Sequence, residues 1–189
     1  MTAIDADKAA ARKTAFAARK AAHGTGRDAV AQAHLRAALA QIGDGALAGY
    51  MPIRTEIDPV PVMASHTGRV GVPVILGAGQ PLDFHEWTPD CAMMDGAFGA
   101  RIPAQGVDLT PRAVIVPLVG FDARGYRLGY GGGFYDRTLA LLRAAGPVLV
   151  LGFAYDAQEL PEVPIDQYDQ RLDGIVTESG LRHFPSGAP

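Results

Sequence analysis

Residues Val119–Asp136, VGFDARGYRLGYGGGFYD, hold the residue types and spacing that chemistry requires. Gly120, Gly125, Gly129, Gly131, Gly132 and Gly133 alternate with Arg124 and Arg127 and with Asp122 and Asp136. A glycine-rich loop that enters a helix offers backbone N–H groups at the positive end of the helix dipole, which suits a phosphate. Arginines add planar forks matched to phosphate oxygens. The combination implies a nucleotide-phosphate site. Three consecutive glycines are costly in backbone entropy, and are best explained where a ligand comes close to the backbone. Asp136 is the first candidate ligand for magnesium, which accompanies nucleotide phosphates and takes one or two carboxylates. Capping the helix or pairing with Arg137 is its alternative role. Asp169 and Asp173, in DQYDQRLD, are candidates for a second carboxylate, although a solvated acidic turn is their more ordinary role. Glu56 follows a strand-like run and is a polar anchor for a ligand. Trp87, Phe134, Tyr135 and Tyr155 are able to stack on a flat ring, although core packing is the ordinary role of such residues.

Other chemistries are excluded. The three serines, Ser65, Ser179 and Ser186, lie outside any G-x-S-x-G elbow. The five histidines form no H-x-x-x-H pair, so a zinc hydrolase has no support. No lysine follows Lys20, which rules out a GxxxxGK[ST] loop. Phe134 stands where G-x-G-x-x-G needs its third glycine, so this is no dinucleotide fingerprint either. If a lysine neutralises a phosphate at the glycine loop, it must come from the N-terminal helix, which would give Lys8 and Arg12 the job of folding back over the loop.

These residues need elements to hold them. Ala3–Ala22 is rich in strong helix formers and reads as a helix. Lys8 and Arg12 share one face of it, and Arg19, seven beyond Arg12, stays near that face. Gly24-Thr25-Gly26 breaks the chain. A second helix spans Asp28–Ile42, with Val30, Leu35, Ala38, Leu39 and Ile42 as its apolar stripe. Strand candidates are Ala46–Ile53, Arg69–Leu76, Leu82–Trp87, Ala113–Val119, Pro147–Ala154 and Gly174–Thr177. Asp95–Gly106 and Leu160–Asp169 read as irregular. Phe134–Ala145 is an amphipathic helix directly after the glycine loop. Apolar strands alternating with helices predict an α/β, single-domain three-layer fold over residues 1–189, with a mostly parallel sheet flanked by helices, Rossmann-like. Ligands in such folds bind beyond the carboxyl ends of the strands. Glu56, the glycine loop and Tyr155-Asp156 all follow strand ends and are expected to converge there.

The chain has 189 residues and a net charge of −3, which disfavours general nucleic-acid binding. Residues 1–43 hold seven basic and three acidic residues, a local balance of +4 on an otherwise acidic chain. A basic segment of this kind answers something anionic or is a solvated helix face. Cys91 stands alone, so neither an internal disulfide nor a multi-cysteine zinc site forms. No apolar run approaches the roughly 20 residues of a membrane span. A cytoplasmic protein is expected.

The stretch Arg127–Arg137, RLGYGGGFYDR, preceded by Val116–Asp122, VPLVGFD, resembles the signature of the 5-formyltetrahydrofolate cyclo-ligase (methenyltetrahydrofolate synthetase) family. The resemblance extends to Lys8-x3-Arg12, to Tyr50-Met51-Pro52 through Glu56-Ile57-Asp58, and to Val163–Glu178. It implies closure of 5-formyltetrahydrofolate to 5,10-methenyltetrahydrofolate, dependent on ATP and Mg2+, with release of ADP and phosphate. By position, it implies ATP contacts from Lys8, Arg12, Arg127 and the backbone of Gly129, Gly131, Gly132 and Gly133. It implies magnesium on Asp136 and Asp169, and folate contacts from Met51, Glu56, Tyr130 and Phe134. Arg127, Lys8 and Tyr135 are the implied catalytic residues. Partners would be small molecules, a reduced folate and ATP, acting on a monomer or weak homo-oligomer without nucleic acid or membrane. Two positions depart from the pattern of many members: Ile102 replaces a glutamate before Pro103, and Tyr168 replaces a histidine before Asp169. A folate- or nucleotide-binding protein without turnover is the alternative from another functional class.

Overall fold

A computed structural model describes residues 3–184, so the two ends of the domain expected over 1–189 lie outside the described residues. The chain opens with α1 (Ala3–Ala22), α2 (Asp28–Leu39), β1 (Leu47–Ala48), α3 (Val60–Ala64), β2 (Val70–Ile75) and β3 (Leu82–Glu86). It continues with β4 (Met93–Asp95), β5 (Arg101–Pro103), β6 (Ala113–Pro117), β7 (Gly120–Phe121) and β8 (Arg127–Leu128). It ends with α4 (Phe134–Ala145), β9 (Leu149–Phe153), β10 (Gly174–Thr177) and β11 (Gly180–His183).

Seven strands form one sheet in the order β11-β10-β9-β6-β1-β2-β3. The five inner strands are parallel, and β3 and β11 close the edges antiparallel. The inner strands are nearly all apolar because both faces are covered. Alternation divides them between two cores. Ile115, Leu151 and Phe153 pack with Leu35, Leu39 and Met63 from α2 and α3. Val114, Val116 and Val150 pack on the other face with Leu139 of α4. The expected three-layer α/β fold with a mostly parallel sheet is present.

Counting only the parallel strands in chain order, the arrangement is 2-1-3-4-5, and the winding reverses between β1 and β6. That reversal opens a crevice at the carboxyl ends of the two strands. α1 joins neither covering layer along most of its length. Ala15, with Ala11 and Phe16, packs on Val119, Leu128, Leu160 and Val163, a small cluster at the carboxyl end of the sheet. This placement carries the basic face of α1 to the crevice.

The structure corrects several readings. Val30 is exposed, and Ala31 takes the inward place on α2. Helix α2 stops at Leu39 and tightens into a 3-10 turn over Ala40–Ile42. Asp95–Gly106 is not simply irregular, since β4 and β5 pair there as a hairpin. The glycine-rich stretch begins with a β7–β8 ribbon, and β11 adds an edge strand. Tyr155, expected near the ligand crevice, is fully buried and donates to Asp28 Oδ1 at 2.8 Å. Trp87 is core, in line with the ordinary role of such residues.

Candidate active site

The chain leaves β6 through Leu118 and Val119, turns through the β7–β8 ribbon, and enters Gly129–Gly133 before α4 begins. Val119 N donates to Leu128 O at 2.8 Å and closes the ribbon. Gly131 (φ +102°) and Gly133 (φ +64°) adopt left-handed backbone that other residues rarely tolerate. Among the described residues no side chain caps α4, which leaves its first-turn N–H groups for an anion. Arg12 reaches the loop from α1, where its Nε donates to Gly129 O at 2.8 Å.

Arg127 lies on β8 and is buried. Its Nη2 pairs with Asp136 Oδ1 at 2.7 Å, and its Nη1 donates to Gln170 O. Gln170 N also donates to Asp136 Oδ1, at 3.0 Å. The C-terminal segment is thereby pinned to the first turn of α4. Lys8 sits at the edge of this arrangement, with Nζ 2.8 Å from Asp166 Oδ2 and 2.7 Å from Asp169 Oδ2. Burial works to lower the Lys8 pKa, but the bonds to Asp166 and Asp169 leave it raised, so the amine stays charged. Arg12 therefore folds back onto the loop as expected, whereas Lys8 contacts the neighbouring acidic segment.

The other wall follows β1. Glu56 is 6% exposed, and its Oε2 accepts from Ile53 N at 2.9 Å. Its Oε1 accepts from the Tyr130 hydroxyl at 3.0 Å and lies 3.7 Å from Arg19 Nη1. Burial raises the Glu56 pKa, opposed by the Ile53 N–H and by the charge of Arg19. Tyr130 lies against Phe16, with ring centroids 5.5 Å apart, and beneath the Arg54 guanidinium at 5.7 Å. Met51 is half-buried and packs on the α2-side core. The Tyr135 hydroxyl is buried with no hydrogen-bond partner among the described residues. Burial, then the nearby Glu56 charge, push its pKa up, opposed by Arg127.

Comparison with known proteins gives the family. The profile of the 5-formyltetrahydrofolate cyclo-ligase family matches residues 5–178. The chain belongs to that family. The 5-formyltetrahydrofolate cyclo-ligase of Escherichia coli (strain K12) is 46% identical over 68 residues, 35% of this chain and 36% of that protein. The Haemophilus influenzae 5-formyltetrahydrofolate cyclo-ligase is 37% identical over 98 residues, 49% of this chain and 52% of that protein. These matched stretches span between about a third and a half of the relatives' lengths. The solved structure of Aquifex aeolicus 5,10-methenyltetrahydrofolate synthetase superposes with a TM-score of 0.75 at 27% identity, covering 96% of this chain and 95% of that one.

In this fold Arg12 bonds to the glycine loop, Tyr130 of that loop bonds to Glu56, and Arg127 pairs with Asp136 in the first turn of α4, beside Phe134. Asp173 does not join them. It accepts from Val150 N and pairs with Arg143 at the opposite end of the strands. A cavity of about 980 Å³ opens at that end, lined in part by Arg112, Arg143 and His183, away from the glycine loop. Among the described residues, the one set of three close His or carboxylate donors is Asp83, His85 and Asp108, at the β3 edge rather than at Asp136 and Asp169.

Two site residues escaped the sequence reading. Arg19 appeared only as part of a basic face, yet it is buried at the centre of the Glu56 wall. Its seven-residue spacing from Arg12 was the available signal. Phe98, at the tip of the β4–β5 hairpin, is 74% exposed and approaches the Phe134 ring edge-on at 6.3 Å. Phe98 (φ +57°) and Arg54 (φ +55°) are the non-glycine residues with left-handed backbone among those described, and each touches an aromatic residue of the site.

Proposed function

We propose that this chain is an ATP- and Mg2+-dependent 5-formyltetrahydrofolate cyclo-ligase that forms 5,10-methenyltetrahydrofolate, ADP and phosphate. One observation carries the reading: Tyr130, within the glycine loop, donates to Glu56 on the opposite wall. The phosphate-binding loop and the folate anchor thus meet through a single side chain. Family membership and the coverage of the Aquifex aeolicus synthetase support the same activity.

A formyl oxygen is a poor leaving group. In the proposed reaction it attacks the γ-phosphorus of ATP and the bond to ADP breaks. The second folate nitrogen then attacks the formyl carbon, the carbon–oxygen bond breaks with its electron pair on phosphate, and that nitrogen gives up its proton. No covalent nucleophile on the protein is needed. The protein's task is alignment and charge stabilisation. Arg127 supplies a guanidinium already oriented by Asp136 and Gln170. Arg12, Lys8 and the first-turn N–H groups of α4 add donors around the phosphates. Glu56, Met51 and Phe134 hold the folate, and the Tyr135 hydroxyl, buried without a hydrogen-bond partner among the described residues, is assigned as a donor to the ligands.

Asp136 and Asp169 suit magnesium chemically. Each has one carboxylate oxygen without a hydrogen bond among the described residues, giving hard oxygen donors on adjoining segments. Magnesium, when bound, neutralises charge on the phosphate oxygens. A monomer or weak homo-oligomer in the cytoplasm completes the reading, in keeping with the lone, half-buried Cys91. The test is to mix protein, magnesium, ATP and 5-formyltetrahydrofolate and follow methenyl absorbance. Signal that disappears without ATP supports the ligase. Tight folate binding with no absorbance change supports a binding protein instead.

A further inference from the structure

Arg19 is 1% exposed, and its position calls for an account of its own. A buried guanidinium is expensive unless every donor is used, and an apolar residue of similar volume would serve packing at least as well. Arg19 Nε donates to Thr55 Oγ1 at 3.1 Å, Nη1 to Leu118 O at 3.3 Å, and Nη2 to the Tyr130 hydroxyl oxygen at 2.8 Å. It also stacks over Phe16 at 5.2 Å and Tyr130 at 5.6 Å. It therefore ties α1 to the segment after β1, the end of β6 and the glycine loop.

The third bond has a directional consequence. Because Arg19 donates to the Tyr130 oxygen, the hydroxyl proton of Tyr130 is left to point at Glu56 Oε1. Ile53 N fixes the other oxygen. Each carboxylate oxygen still has lone pairs for incoming N–H groups. Tyr130 is 42% exposed and lies between Gly129 and Gly131, so its own backbone holds it weakly. The geometry points to Arg19 as a positioning residue that acts through Tyr130 to orient Glu56 for the adjacent N–H donors of the reduced-folate ring. This rests on the proposed folate chemistry, and it couples the nucleotide loop to the folate wall through one α1 side chain.

The groups facing Glu56 are Arg19 from α1, Arg54 from its own segment, Tyr130 from the glycine loop, Tyr135 from α4 and Tyr50 from the end of β1. Arg19 opposes protonation of Glu56, so its loss moves the acid limb of folate binding to higher pH.

The experiment is calorimetry of 5-formyltetrahydrofolate binding across pH for the wild-type chain, Arg19→Met, Tyr130→Phe and the double variant. Each single change is expected to weaken binding roughly tenfold or more, as for a lost hydrogen bond to a charged group. The double variant is expected to be no worse than the weaker single, because both break one relay. The acid limb shifts upward in both, while affinity for a non-hydrolysable ATP analogue stays near wild type. Additive losses, or an unmoved acid limb, overturn the relay and leave Arg19 a packing residue. Should Arg19→Met fail to fold, Tyr130→Phe keeps Arg19 and its bonds to Thr55 and Leu118, and decides by the same limb. Wild-type protein that binds no folate overturns both this inference and the proposed function, whereas folate binding that ignores both changes overturns this inference alone.

Discussion

Replacing Arg127 with alanine removes two hydrogen bonds, one to Asp136 Oδ1 and one to Gln170 O. Asp136 keeps only Gln170 N as donor among the described residues, and the Gln170 carbonyl loses its partner. The Asp136 side chain is 24% exposed, so water compensates part of the loss. Stability falls by about 2–3 kcal/mol, the range for losing hydrogen bonds to charged groups. For a chain of this size that lowers Tm by about 4–12 °C, at about 2–4 °C per kcal/mol. The catalytic loss is separate. A preorganised donor aimed at developing phosphate charge contributes ~2–4 kcal/mol, so kcat/KM falls about 30- to 1000-fold. Initial rates of methenyl formation, measured well below the new Tm with both substrates varied, give the number. Unchanged kcat/KM in a folded variant refutes the placement of Arg127 on the reacting phosphate. A loss fully restored by cooling refutes it equally, because only the fold would have been damaged.

Glu56→Gln should bind folate more weakly with ATP affinity nearly intact, and equal losses for both ligands by calorimetry would make Glu56 structural. The Glu56 pKa is raised by burial, so ionising it opposes folding. The stability of its neutral form is fully present below the unfolded-state pKa and lost as pH rises through the raised folded-state value. The Tm of Glu56→Gln should therefore rise relative to wild type with increasing pH and converge with it in acid; a constant difference contradicts this. At Gly129 a Cβ would meet no atom within 4 Å, and its φ lies outside the left-handed region. Gly129→Ala should leave Tm unchanged or slightly raised, since the unfolded chain loses freedom, yet weaken ATP binding. Unchanged ATP affinity would show that no ligand approaches there. Asp136→Asn should raise the magnesium concentration needed for half-maximal turnover, and an unmoved magnesium titration would remove Asp136 from the metal.

Legibility differed between elements for physical reasons. α1 and α4 have the bounds read from sequence because strong helix formers end there at glycines. The inner strands were legible because burial on both faces leaves them almost purely apolar. β4, β5, β7, β8 and β11 are two to four residues long, and all but β7 carry polar or exposed positions. They are held by pairing with one neighbour, which local composition does not record. Glu56 and the glycine loop were legible since each follows a strand at its carboxyl end. Arg19 was not, because a solvated arginine and a buried one look alike on a helical wheel. What separates them is Thr55, Leu118 and Tyr130 folding over it from segments 36, 99 and 111 residues away. Tyr155 was misplaced for the converse reason, since its hydroxyl finds Asp28 at the start of α2, 127 residues away.

The small apolar cluster under α1 separates two kinds of cooperativity. The sheet rests on two extensive cores, whereas α1 is docked by Ala15 and its flanking residues in the small cluster, by Ala22 at its end in one large core, and by the polar bonds of Lys8, Arg12 and Arg19. Local opening follows the least buried contacts first. Lys8, Arg12 and Arg19 can therefore leave together, on one rigid rod, while every parallel strand stays paired. Such an excursion would release phosphate and ring contacts in a single movement, giving bound products an exit that leaves the sheet intact. Heat would then extinguish turnover before it melts the β-structure, with a gap set by how firmly this one helix is docked.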